Sequence, residues 1–255
     1  MRKRTFIIFA IAALLLLVIE LARPEYTSDA VKNEMIYTTL TRTVGALLFL
    51  FLIWRDGIGV FGITQNRAAL LTVIPAALVA INNAPIIGLA TGAARVTGDA
   101  VDLTLIILQS IAVGLFEEAA FRGYFFPFVL ERYRGRSVFL PTVISSAIFS
   151  AVHLLNLAYG SSPAAVFLQV GYSFLIGGMC AIVLIKTRSI WIVAALHAVY
   201  NLGGTLIPTI GEGKVWDAAT VTVTAILGIT VCVIMLVILA KIKNGEAEAL
   251  YRNPK

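Results

Sequence analysis

The sequence predicts an all-α protein, a polytopic membrane bundle of about eight transmembrane helices with both termini cytoplasmic. Three observations predict it. Hydrophobic residues make up 59% of the 255 and charged residues only 13%, where a soluble domain carries about 25% charged residues. Eight stretches are long and apolar enough to cross about 30 Å of hydrocarbon at roughly 1.5 Å per residue. Basic loop residues fall almost entirely on one side of the resulting map.

In order, the stretches are 5–21, 37–54, 68–90, 103–130, 138–157, 164–185, 190–207 and 218–240. The first follows Met1-Arg2-Lys3-Arg4, which is also how a signal peptide begins. The segment Ile19-Glu20-Leu21-Ala22-Arg23-Pro24 lacks a small-x-small cleavage motif, so the expectation is a retained helix. The fourth stretch is too long for a plain span. Gly123 and Pro127 predict a bend or break near its end.

Loop charge supports the alternation. One side receives Arg2, Lys3, Arg4, Arg55, Arg67, Arg132, Arg134, Arg136, Lys186, Arg188, Lys241, Lys243, Arg252 and Lys255. The other receives Arg23, Lys32, Arg95 and Lys214 among acidic residues such as Asp29, Asp99, Asp102 and Asp217. An error of one span scrambles this split, which is the pattern of a positive-inside protein. The expected setting is therefore a multi-pass integral membrane protein, in the cell membrane if the source is prokaryotic. The net charge of +6 forms no aromatic-interleaved basic patch, so the expected partner is the lipid bilayer and not nucleic acid. Cys180 and Cys232 lie in apolar runs without CxxC spacing, which offers neither a disulfide framework nor a cysteine metal site. Loops are short and no repeat is visible, so the expectation is one compact bundle. Its parts are helices one to three over 1–102, a core over 103–207, and the last helix with a solvated tail over 208–255.

Ionisable groups at membrane depth are costly, at roughly 2.5–3.5 kcal/mol for a charged side chain at the centre of a span. Both histidines of the chain, His153 and His197, sit in apolar stretches, as does the pair Glu117-Glu118. The fourth stretch carries Glu117-Glu118-Ala119-Ala120-Phe121-Arg122-Gly123. Glu118 and Arg122 are four apart with the acid first, the favourable order for a helical ion pair. Glu117 points about 100° away and has no sequence-local partner. That suits a desolvated general base; an ion-pair lock between helices explains the same residues structurally. The fifth stretch carries Phe149 and His153, four apart on one face, where the imidazole is either functional or a satisfied packing group. The seventh carries His197 and Asn201 on one line, suited to catalysis or to interhelical hydrogen bonding. Counted along the helices, Glu117, His153 and Asn201 reach similar depths, roughly 16–23 Å from the cytoplasmic ends. His197 lies about one turn below Asn201. Asn82, Asn83, Gln109 and Ser110 are weaker candidates for lining a cavity or holding helices together. Gly177-Gly178 and Gly203-Gly204 suit close helix approach.

The motifs EExxFRG, FxxxH and HxxxN, in that order on three helices, resemble the CPBP family of intramembrane proteases. That family includes type II CAAX prenyl endopeptidases and bacterial relatives associated with bacteriocin processing or self-immunity. The resemblance covers about 103–207; the remaining helices rest on topology alone. It implies that Glu117 activates the attacking water, that His153 helps hold it, and that His197 and Asn201 stabilise the oxyanion. Glu118 and Arg122 are then supporting residues that shape and tune the site. The family leaves metal dependence open. Without an HExxH helix, the sequence leans toward glutamate-type catalysis, with Glu117, His153 and His197 as the zinc-ligand alternative. The implied substrate is a prenylated or membrane-embedded peptide or small protein. Other readings are a non-catalytic scaffold or self-immunity protein of the same fold, a proton-coupled transporter, and, more remotely, a cysteine protease using Cys180.

Overall fold

A computed structural model describes residues 24–251, together with Ile7 and Ile11. The first expected span therefore lies, apart from those two residues, outside the described part, as do residues 252–255. Among the described residues are six helices long and apolar enough to cross a membrane. They form an all-α polytopic bundle.

α1 (Ala30–Arg55) starts where Asp29 caps the backbone N–H groups of Val31 and Lys32. That cap starts the helix at Ala30, ahead of the expected 37. Two short helices follow, α2 (Arg67–Leu70) and α3 (Val73–Asn82), then α4 (Ile86–Thr91). The stretch expected as one span over 68–90 is thus interrupted. Pro85 lacks a backbone N–H and disfavours a helical residue before it. The break is packed against protein: Asn83 Nδ2 donates to the Tyr200 carbonyl at 2.7 Å. Irregular backbone at membrane depth is tolerated when covered in this way.

β1 (Ala94–Val96) leads into α5 (Ala100–Glu117), which opens on a capping box between Asp99 and Asp102. α5 passes into a π-helical segment (Glu118–Phe125) and then α6 (Phe126–Arg132). The irregularity expected from Gly123 and Pro127 is therefore a widened π turn that starts at Glu118. α7 (Phe139–Val152) ends in a 3₁₀ turn (His153–Leu157). α8 (Pro163–Thr187) and α9 (Ile190–Ile210) follow, then β2 (Gly211–Gly213), α10 (Ala218–Lys241) and α11 (Asn244–Tyr251).

The second half of α8 is the centre of the core, with Cys180, Ala181, Val183 and Leu184 all fully buried. Val221, Ile226, Ile229 and Val233 of α10 instead face outward, as a lipid-facing helix requires. Contacts at the two ends of α9 order the loops. At its start, Ile190 N donates to Val60 O and Thr64 N to Thr187 O, both at 2.8 Å. At its far end β1 pairs antiparallel with β2, Arg95 opposite Glu212. Residues 60–64 and 94–96 therefore lie at opposite ends of α9, which is about 31 Å long at 1.5 Å per residue.

Candidate active site

Gly114 lets α5 and α9 approach. A Cβ there would lie 2.7 Å from the Ala198 backbone nitrogen and 2.9 Å from the Ala194 backbone oxygen. Only a bare glycine fits such a crossing. The next residues of α5 are carried directly onto α9, at the point where the α-helix gives way to the π segment. A π turn holds more residues than an α turn and therefore separates neighbours by a smaller rotation. Consecutive carboxylates can then flank one imidazole.

That imidazole is His197. Its Nδ1 is 2.7 Å from Glu118 Oε1, and its Nε2 is 3.4 Å from Glu117 Oε2. An ionised carboxylate only accepts, so Nδ1 carries the hydrogen, and Nε2 is turned toward Glu117. Glu118 and Arg122 are fully buried, and Arg122 Nη1 is 3.1 Å from the same Oε1. This is an ion pair without hydrogen-bond alignment, since Nη1 makes no hydrogen bond among the described residues. The guanidinium carbon sits 3.8 Å from the Phe149 ring centroid, a close cation–π contact that partly offsets its desolvation. Gly177 of α8 leaves the room: a Cβ there would come within 2.5 Å of Arg122 Nη2.

Phe149 is the hub of the cluster. Phe121, His153 and His197 all meet its ring edge-on, with centroids 5.1, 5.2 and 5.9 Å away. The expected pairing of Phe149 with His153 is present. The sequence reading did not place Phe149 against Arg122 and His197, because those contacts cross three elements. His153 Nδ1 is 3.2 Å from the Phe149 carbonyl oxygen. A carbonyl only accepts, so Nδ1 donates and Nε2 of the neutral ring is left as an acceptor. The 3₁₀ turn carrying His153 is tied to α8 by Asn156 Nδ2 donating to Gln169 Oε1 at 2.8 Å.

Exposure separates the two glutamates. The Glu117 side chain is 20% exposed, against none for Glu118 and 5% for His197. Glu117 is therefore the carboxylate that reaches open space. Asn201 lies one turn beyond His197 on α9, half-buried, with no side-chain hydrogen bond to the cluster among the described residues. The structure thus brings Glu117, Glu118, Arg122 and His197 together directly and His153 through Phe149, and leaves Asn201 beside them.

Of the weaker candidates, Asn82, Asn83 and Ser110 make hydrogen bonds within or between helices. Asn82 Nδ2 donates to Thr224 Oγ1 at 2.8 Å, joining α3 to α10, and Asn83 joins α4's approach to α9. Ser110 Oγ returns to the Ile106 carbonyl, and Gln109 is half-buried on α5. Cys180 is fully buried in the core, out of reach as a nucleophile. Among the described residues no group of three or more His, Cys, Asp or Glu side chains is placed to hold a metal ion. Glu117 and His197 face one another, but no third ligand converges on them, so the residues as arranged do not fit the Glu117–His153–His197 zinc set.

Residues 99–203 match the family model described as Type II CAAX prenyl endopeptidase Rce1-like. Over this segment the chain is similar to that family, as its three motifs imply. The match spans α5 through most of α9 and contains every residue of the cluster above. The family is one of CAAX-type membrane proteases, which agrees with a multi-pass integral membrane protein. No curated protein and no solved structure matched the chain.

Proposed function

We propose that this protein is an intramembrane endopeptidase that hydrolyses a peptide bond in a membrane-embedded or CAAX-like lipidated substrate. One observation carries the proposal: a partly exposed carboxylate, Glu117, faces an imidazole whose other nitrogen is fixed by the buried Glu118–Arg122 pair. A structural lock would have no need to keep one of two adjacent carboxylates half-open.

In this reading Glu117 takes a proton from water while the water oxygen attacks the scissile carbonyl carbon. His153 Nε2 accepts the water's second hydrogen and orients it. The new oxyanion is met by the Asn201 amide and by Nε2–H of His197, which acts as an imidazolium with its Nδ1–H on Glu118. Glu118 accepts from Nδ1–H, which fixes the orientation of the ring. The tetrahedral intermediate collapses with cleavage of the C–N bond, and Glu117 returns its proton to the leaving amine. Arg122 supplies the counter-charge to the Glu118 carboxylate in an apolar surrounding. A lipid chain on the substrate can remain in the bilayer while the peptide enters the cavity.

The finer organisation is part of the same proposal. Residues 103–207 form the catalytic core and 1–102 and 208–255 its scaffold, in one bundle of eight spans with both termini cytoplasmic. The broken stretch Arg67–Asn82 with Ile86–Thr91 counts as a crossing, because the loops before and after it touch opposite ends of α9.

The test is purified protein in proteoliposomes against prenylated and unprenylated peptides, with and without chelator. The expected result is cleavage by the wild type and none by Glu117→Gln. Cleavage that survives Glu117→Gln sinks the assignment, and loss of wild-type cleavage with chelator alone transfers the chemistry to a metal.

A further inference from the structure

Away from the glutamate–histidine cluster, at the end of the bundle where α8 stops and α9 starts, lies a cavity of about 370 Å³. At about 30 Å³ per water, it has room for roughly a dozen waters. Its walls are built rather than loose. Residues 60–64 are hydrogen-bonded to 187–190 on one side, and Gly59 N donates to the Leu250 carbonyl of α11 at 2.9 Å on the other. Charge lines it unevenly. Lys186 is paired with Glu246 at 2.5 Å, whereas Arg188 and Lys243 line the cavity with no ion pair among the described residues. Two exposed cations therefore border one half-open pocket, with Glu246 as the acidic side chain among its lining residues.

Arg188 adds a second observation. It ends α8 with φ of 58°, the one positive φ outside glycine among the described residues, and its N–H bonds to Leu184 O at 2.8 Å. This is the helix-ending position at which glycine is usual, because a Cβ in left-handed backbone costs roughly 1–2 kcal/mol. An arginine held there against that cost has a use for its side chain, and the side chain lines the cavity. The cavity also lies among Arg67, Lys241 and the other basic residues of this end of the bundle, the setting in which pockets between spanning helices take anionic headgroups.

We propose that this cavity binds a phosphate-bearing anion, either the headgroup of an anionic lipid or free phosphate, through Arg188 and Lys243. The site is independent of the protease reading. Glu246 tunes it by neutralising Lys186.

The test uses the full-length protein in phosphatidylcholine nanodiscs containing a minority of phosphatidylglycerol. Native mass spectrometry reads retained lipid, and a second arm reads the shift of the melting temperature in detergent on adding inorganic phosphate. Wild type retains phosphatidylglycerol over phosphatidylcholine, and R188G and K243A each lower that preference about fivefold. E246Q raises it by freeing Lys186. R188G is expected to fold at least as well as wild type because glycine relieves the backbone, so its lost binding is not lost structure; R188K keeps the charge and partial binding. Phosphate stabilisation that disappears in R188G, without lipid preference, assigns the site to free phosphate. Equal lipid retention by wild type, R188G and K243A, with no Arg188-dependent response to phosphate, overturns the proposal.

Discussion

Arg122 is fully buried. It is buried against Glu118 and the Phe149 ring, so removing it leaves Glu118 as an unpaired buried charge. Arg122→Met is expected to destabilise the protein by about 3–5 kcal/mol, read as a lower melting temperature. Arg122→Lys also loses stability, because an ammonium cannot reproduce the planar stacking on Phe149. Glu117 is the opposite case. Partly exposed and not locked into the pair, it is expected to tolerate Glu117→Gln with an unchanged melting temperature. The proposed general-base role then predicts a loss of kcat of about 10²–10⁴. At this scale the sequence was informative wherever partners are local: Glu118 with Arg122, and Phe149 with His153, follow from spacing of four on a helix. The grip of Glu118 on His197 Nδ1 was not legible, because it joins the π segment to α9 across 79 positions of sequence.

Between elements, the crossing at Gly114 decides whether the two halves of the cluster meet. Gly114→Ala places a methyl against α9 backbone atoms at 2.7 and 2.9 Å, which cannot move aside as a flexible side chain could. The expected outcome is a loss of about 1–3 kcal/mol together with lost activity, measured by thermal melts and peptide cleavage on the same sample. A second prediction concerns α11. Burial pushes the Glu246 carboxyl up, but hydrogen bonds from Lys186 Nζ and the Lys243 N–H, with the two ammonium charges, outweigh it and hold it below its ordinary value. A depressed carboxyl contributes stability above the ordinary glutamate range near 4.3 and loses it as pH falls through the folded value. Glu246→Gln should therefore cost at most about 1 kcal/mol of stability at neutral pH for a partly exposed pair, read as a lower melting temperature. That difference should vanish at pH values below the folded carboxyl's own. The π segment was the least legible element. Gly123 and Pro127 gave away an irregularity, but a π turn and a bend share those signals until packing chooses between them.

For the whole molecule, topology follows from charge and from loop contacts. The basic loops containing Arg55, Arg134 and Lys186 belong on one side, and those containing Lys32, Arg95 and Lys214 on the other. Two ties between loops at each end agree with this: Lys32 with Asp99 at 3.2 Å and β1 with β2 at one end, Lys186 with Glu246 and residues 60–64 with 187–190 at the other. Single cysteines introduced at Arg134 and Lys214 should label from opposite faces of a sealed vesicle; labelling from one face contradicts the eight-span arrangement. The bundle and most of its spans were legible because apolar length and loop charge are properties of the sequence itself. The interruption of 68–90 was not, since its apolar residues continue across Pro85 and only packing against α9 fixes the break.

The central claim is that Glu117 activates water for peptide hydrolysis within the membrane. The most direct measurement is kcat for a peptide that the wild type cleaves, compared with Glu117→Gln and Glu118→Gln in proteoliposomes, with melting temperatures taken in parallel. The account predicts that Glu117→Gln loses turnover at unchanged stability, while Glu118→Gln loses stability and turnover together. Turnover by Glu117→Gln within a few-fold of wild type would contradict it.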